Sequence, residues 1–263
     1  MYLAHLLNHI KQRVCGVASA SQKTFPYASN SICPTGADGK HAVRCNSLLL
    51  VVLFEVGAMA LNAKILCACG TCGLTLNDPI PKMSLLCACE DCRQAAAWAA
   101  TKGGNAPRDV IRAVYFRSDF SDGRGLNNMR AVQLRDGGRS TRIYCKSCYA
   151  CVAIDHDAYA DNVFCVHIDH CSSNFDVSIE PTAAIQLCDY PGDIASMPSE
   201  QIPVFHSFRY PQELSRFRAL EAVGKCFSPP PTLARGQTLR DIIAHLEPVE
   251  VLGLSQGAPV TAP

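Results

Sequence analysis

Apolar and polar positions change character several times along the chain. Residues 1–14 place Leu3, Leu6, Leu7 and Ile10 on one face of a helix. Residues 48–61 form an apolar run interrupted by Glu55, too short to span a bilayer comfortably. From residue 63 to about 190, short β-branched runs with partial alternation are separated by turn residues. This predicts strands over 64–67, 73–76, 84–87, 110–116, 131–134, 142–144, 151–154 and 163–168. The alanine-rich stretch 93–101 around Trp98 reads as a helix, ended by Gly103-Gly104. Residues 211–225 predict a second helix with Leu214, Phe217, Leu220 and Val223 inward. Ser228-Pro229-Pro230-Pro231 reads as a linker. Leu239, Ile242, Ile243 and Leu246 mark a short amphipathic helix, and the tail after Gly253 reads as loose.

This pattern divides the chain into three parts. Residues 1–58 are an extension, with the look of a transit peptide at the start. Residues 59–226 are the strand-rich domain, and 227–263 carry the linker, short helix and tail. Met59 also reads as an alternative translation start, because Met59-Ala60-Leu61 runs directly into the first cysteine motif. A start there predicts a cytoplasmic protein, whereas a functioning transit peptide predicts a mitochondrion or plastid.

Charge adds little. Lys+Arg 24 against Asp+Glu 23 gives a net charge of +1, so no electrostatic case exists for nucleic acid or a membrane surface. No membrane insertion is expected. A hydrophobic fraction of 48% excludes disorder of the whole chain.

Cysteine changes the picture. Of 16 cysteines, six are Cys67, Cys69, Cys72, Cys87, Cys89 and Cys92; Cys145 and Cys148 follow, with Cys151 close behind. Cysteines two apart do not easily bridge, because the link strains the backbone. Metal sites instead take two thiolates from one tight turn and two from another. Clustering therefore favours metal, and the scattered cysteines read as small buried hydrophobes. Cys67-Ala68-Cys69-Gly70 contributes two thiolates, Cys87-Ala88-Cys89-Glu90-Asp91-Cys92 three, and Cys145-Lys146-Ser147-Cys148 two. Seven divide as four plus three: a closed structural site, and one with a position free for water or substrate.

The order and spacing of these motifs, with Arg93 after the middle one and Arg142-Ile143-Tyr144 before the last, resemble the glutathione-dependent formaldehyde-activating enzyme and centromere-protein-V-like family. The resemblance covers roughly residues 63–210. It implies a mainly β, Mss4-like fold of antiparallel sheets built around zinc sites, with a few short helices. It implies two zinc ions per chain. Cys67, Cys69, Cys145 and Cys148 would hold a structural zinc, and Cys87, Cys89 and Cys92 a second, open, catalytic one. The implied activity is that of a carbon–sulfur lyase adding a thiol such as glutathione to formaldehyde or a similar small aldehyde. The chain departs from the family pattern at Tyr149, where glycine is usual, and Ala88, where histidine is frequent; Cys72 is additional, and no Trp accompanies the strand Pro203-Val204-Phe205-His206. The alternatives are a non-catalytic zinc-stabilised binding module, with Cys72 or Cys151 filling the fourth position, and a redox or metal-handling protein.

Other candidates are weaker. His167 and His170, three apart on one strand, would face opposite sides and not converge. His206 reads as a strand or pocket histidine, and Arg93 as a substrate-carboxylate contact or a solvated cation. Glu90 and Asp91 suit a helix N-terminus. Lys102-Gly103-Gly104 lacks the Gly-Lys-Ser/Thr of a phosphate loop.

Overall fold

The computed structural model describes residues 62–193, 201–230, 234 and 236–257. The N-terminal helix, the apolar run 48–61 and Met59 lie outside these residues.

The first strands form a four-stranded antiparallel sheet. β1 (Ala63–Cys67) lies between β10 (Cys171–Ser173) and β2 (Gly73–Leu76), and β2 pairs with β5 (Phe120–Arg124). The remaining strands are β3 (Met83–Cys87), β4 (Ile111–Arg117), β6 (Met129–Gln133), β7 (Ser140–Cys145), β8 (Cys151–His156), β9 (Val163–His167), β11 (Ala183–Ile185), β12 (Val204–Phe205) and β13 (Glu250–Val251). They make a nine-stranded sheet in the order β12-β11-β3-β4-β9-β8-β7-β6-β13. That sheet is mixed rather than antiparallel throughout: β11 runs parallel to β3 and β12, and β13 parallel to β6.

Both faces of the large sheet are buried, and alternation along most strands sorts them. Val114 and Phe116 of β4, Phe164 and Val166 of β9, and Ile143 of β7 join Ile65, Leu74 and Leu76 of the small sheet in one core. Ala113, Tyr115, Cys165 and Tyr144 face the other way, into a core with Met83, Leu85 and Cys87. Helix α1 (Glu90–Thr101) covers that second face with Trp98 and Ala99. The small alanine side chains let its backbone approach the sheet closely. Continuous burial on both faces explains why the alternation in the sequence is only partial.

The predicted helix over 211–225 is two helices, α2 (Pro211–Arg218) and α3 (Glu221–Phe227), because Leu220 is extended between them. Helix α4 (Leu239–Ala244) forms where expected, capped by Thr238 and Asp241 in a capping box. It belongs to the packed body, since Leu239 and Ile242 are fully buried in the inter-sheet core. The stretch after Gly253, expected to be loose, is held as far as Gly257. The Leu254 N–H donates to the Leu134 carbonyl at 2.8 Å, the Gln94 amide donates to the Ser255 carbonyl at 2.9 Å, and the Gly257 N–H donates to the Glu90 carboxylate. Among the described residues no helix is long and apolar enough to cross a membrane.

Among the described residues, the first buried one is Ala63 in β1. A chain shortened to begin at Met59 is therefore expected to fold with the same far-UV circular dichroism and metal content. Loss of its cooperative thermal transition would show that earlier residues belong to the core.

Candidate metal centres

The first sulfur set is built from two strand ends. β1 closes at Cys67, where the Cys67 N–H donates to the Cys72 carbonyl and the Gly70 N–H to the Cys67 carbonyl, both at 2.9 Å. Gly70 takes φ +71°, a conformation cheap only without a Cβ. β7 closes at Cys145 in the same manner, with the Cys145 N–H donating to Ala150 and the Tyr149 N–H to Cys145, both at 3.0 Å. Here the left-handed position is Tyr149, at φ +52°. That conformation costs a non-glycine residue roughly 1–2 kcal/mol. Its ring packs edge-on against Trp98 at 5.7 Å, with the Arg130 guanidinium over it at 5.6 Å. Tyrosine thus contributes contacts that glycine would lack.

The two turns meet. Cys67, Cys69, Cys145 and Cys148 have sulfurs all within 4.8 Å of one another. Cys67 Sγ is 3.5 Å from Cys69 Sγ, which is 3.7 Å from Cys145 Sγ across 76 residues of chain. Tetrahedral zinc with 2.3 Å bonds would separate its sulfurs by about 3.8 Å. The spacing thus fits a metal. The described cysteines are all free of disulfides. Backbone N–H groups are aimed at the sulfurs, Cys72 at Cys67 and Ser147 at Cys145, each 3.4 Å away. Burial pushes the Cys145 thiol up, but the Cys148 and Ser147 N–H groups and the Thr71 hydroxyl outweigh it and bring it to about 6. Cys67 is lowered in the same sense, against its burial, by the Cys72 N–H and by Cys69 and Thr71. Cys72 behaves oppositely: burial, and then the neighbouring Cys145 and Cys67, hold it protonated. It packs behind the set as a neutral thiol.

The second set lies on the opposite side of the large sheet. Cys87 ends β3, Cys89 is the N-cap of α1, and Cys92 stands in its first turn. N-cap and third helical positions face each other, as in a capping box. Here the Cys92 N–H donates to Cys89 Sγ at 3.3 Å. Cys87 Sγ lies 3.9 Å from Cys92 Sγ, and the three sulfurs are within 4.8 Å of one another. Hydrogen bonds with Cys87 and then Cys89 draw the Cys92 thiol well below its ordinary range despite burial, and His167 adds to this. The sulfur cap also explains why α1 starts at Glu90, three residues before the predicted helix: cysteine carries no capping signal in sequence.

Arg142 is the group that sequence reasoning missed as a site component. It is 2% exposed on β7, on the face that carries Tyr144. Its Nε has no hydrogen-bond partner, and among the described residues it makes no ion pair with a carboxylate. An isolated buried cation is costly. Its guanidinium is favoured, against burial, by the sulfurs of Cys92, Cys151 and Cys89 and by Tyr144. A divalent metal with three thiolates carries a net charge of about −1. That is the counter-charge Arg142 lacks, so this set fits a metal on electrostatic as well as geometric grounds.

Other candidates take definite places. Arg93 donates to the Asp189 carbonyl, and the Asp189 carboxylate accepts from the Glu90 N–H at 3.1 Å. Arg93 thus docks α1 onto the turn at 187–189. Asp91 pairs with Arg135 at 2.7 Å, and Glu90 accepts from the Gln94 amide at 3.1 Å. The His206 carbonyl accepts from the Cys188 N–H at 3.0 Å, and the residue itself is exposed. His167 and His170 do converge, with rings 5.8 Å apart, because β9 ends at His167 and a single 3-10 turn (Ile168–His170) brings His170 round. Neither Cys72 nor Cys151 joins the three-sulfur set. The Cys151 thiol donates to the Ala153 carbonyl at 3.8 Å.

No protein-family model matches the chain, and no curated protein matches it. The reading of the two centres rests on their own geometry.

Proposed function

We propose that the chain is a zinc-dependent carbon–sulfur lyase of the glutathione-dependent formaldehyde-activating type, on an Mss4-like fold, with one zinc in each sulfur set. The observation that carries this reading is the asymmetry of the two sets. Four thiolates satisfy tetrahedral zinc, whereas three leave a position. The four-sulfur set ties β1 to β7 and is structural. The three-sulfur set sits at a helix N-terminus, with Cys89 and Cys92 only partly buried, and is the reactive one.

Bound there, zinc would supply Lewis-acid stabilisation of an incoming thiolate. The chain does the rest. Cys87, Cys89 and Cys92 hold the ion; the N-terminal dipole of α1 favours the thiolate at Cys92, whose thiol is drawn down. Arg142 offsets the negative charge of the set and limits the cost of adding a further thiolate. The reaction is an addition: a carbon–sulfur bond forms between thiol and aldehyde, the thiol proton ends on the aldehyde oxygen, and nothing is oxidised. Holding the two reactants together is the main source of acceleration.

Exchange NMR on formaldehyde and glutathione is expected to show S-hydroxymethyl adduct forming faster with the zinc-loaded chain than without it. Cys89→Ser should remove that enhancement and leave the melting temperature within a few degrees, since serine is itself a good N-cap. Equal rates for the two proteins, with both centres loaded in the wild type, would favour a non-catalytic zinc-stabilised binding module.

A further inference from the structure

Two strand registers carry His167 toward the second centre. Leu85 of β3 pairs with Ala113 of β4, which pairs with His167 of β9. Residues two apart on a strand share a face. His167 therefore shares the face of Cys165, and Cys87 that of Leu85; Cys165, Cys87, Leu85 and Ala113 all lie in the core beneath α1. His167 is 2% exposed, and its Nε2 is buried with no hydrogen-bond partner. Leaving such an atom unpaired costs about 1–3 kcal/mol. The imidazole also helps draw the Cys92 thiol down. His170, edge-on at 5.8 Å, packs against the imidazole.

The other polar groups near this centre are occupied. Cys151 donates to Ala153, the Tyr159 hydroxyl donates to Cys165 at 3.6 Å, and Tyr144 donates to the Ala95 carbonyl at 3.3 Å. Asp91 is paired with Arg135, and Asp189 accepts from Glu90. Among the described residues, the imidazole nitrogen of His167 is a buried donor atom without a partner where a tetrahedral ion with three cysteines needs a fourth.

We propose that His167 Nε2 is the fourth ligand of the metal held by Cys87, Cys89 and Cys92, giving a Cys3His set in the absence of substrate. The imidazole is not within 4.8 Å of all three sulfurs, so ligation requires it to close toward them by side-chain rotation. Three thiolates, a neutral imidazole and a divalent ion carry about −1, the charge that Arg142 balances. A neutral imidazole gives way to an anionic thiolate more readily than a fourth cysteine would. The inference rests on the three-sulfur set being a metal site, and on the lyase reading only for that displacement.

X-ray absorption of the zinc-loaded full chain is expected to show two zincs, sharing seven sulfurs and one imidazole, with imidazole outer-shell scattering absent in His167→Gln. A second measurement is independent of how that variant folds. In cadmium-113-loaded wild-type protein with nitrogen-15 histidine, one metal should couple to His167 Nε2. Two metals with no imidazole, no cadmium–His167 coupling, or imidazole scattering that persists in His167→Gln would each overturn the ligand assignment and leave the three-sulfur site standing. One metal per chain would overturn both.

Discussion

Cys69→Ala is expected to remove the first metal and most of the stability of the domain. Cys69 stands between Cys67 at 3.5 Å and Cys145 at 3.7 Å, so its sulfur joins the two turns. Structural zinc contributes roughly 10–16 kcal/mol of apparent binding free energy in small zinc domains. Domains as a whole are stable by about 5–15 kcal/mol. Even partial loss of the ion therefore competes with the total. For a body of this size a loss of about 5 kcal/mol lowers the melting temperature by roughly 10–20 °C. Metal content should fall from two per chain to one. Cys72→Ala is the control: Cys72 is buried beside the same sulfurs but is held protonated, and its loss should cost about 1 kcal/mol with both metals retained. A Cys69→Ala protein that melts like the wild type in a chelator would remove the structural role.

Arg142→Met should weaken metal retention at the second centre alone. The side chain is buried on the β7 face that carries Tyr144, and Cys92, Tyr144, Cys151 and Cys89 favour its charge against that burial. Removing one member of a buried charge pair leaves the other uncompensated and typically costs 3–5 kcal/mol. Part of that cost falls on the metal, and loss of an outer partner commonly lowers metal affinity about 10- to 100-fold. Chelator competition should show one metal leaving earlier and the other unchanged. Arg142→Lys keeps the charge and should restore part of the retention. Two metals held by Arg142→Met with wild-type affinity would show that the cation does not support the site.

The local pieces were legible in the residues themselves. Cys67-Ala68-Cys69-Gly70 and Cys145-Lys146-Ser147-Cys148 each close by hydrogen bonds within a few residues, so spacing alone reports their geometry. The alanine run of α1 and the apolar periodicity of α4 likewise depend on short-range propensity and patterning. The rest depends on contacts across strands. β5, β10, β11, β12 and β13 are short or weakly apolar, and their pairing comes from neighbours distant in sequence. The mixed character of the large sheet follows from β11 and β13, whose partners are 98 and 118 residues away by register. Arg142 became a candidate only when both faces of the large sheet proved buried and no described carboxylate paired with its guanidinium. His167 and His170, taken as one strand, would face apart; the strand ends between them, and where it ends is set by what packs against it. A tight turn is a contest between a few dihedrals and a few hydrogen bonds, and its residues carry the answer. A shared metal ion or a buried counter-charge depends on groups brought together from far along the chain, and no single stretch of sequence contains both partners.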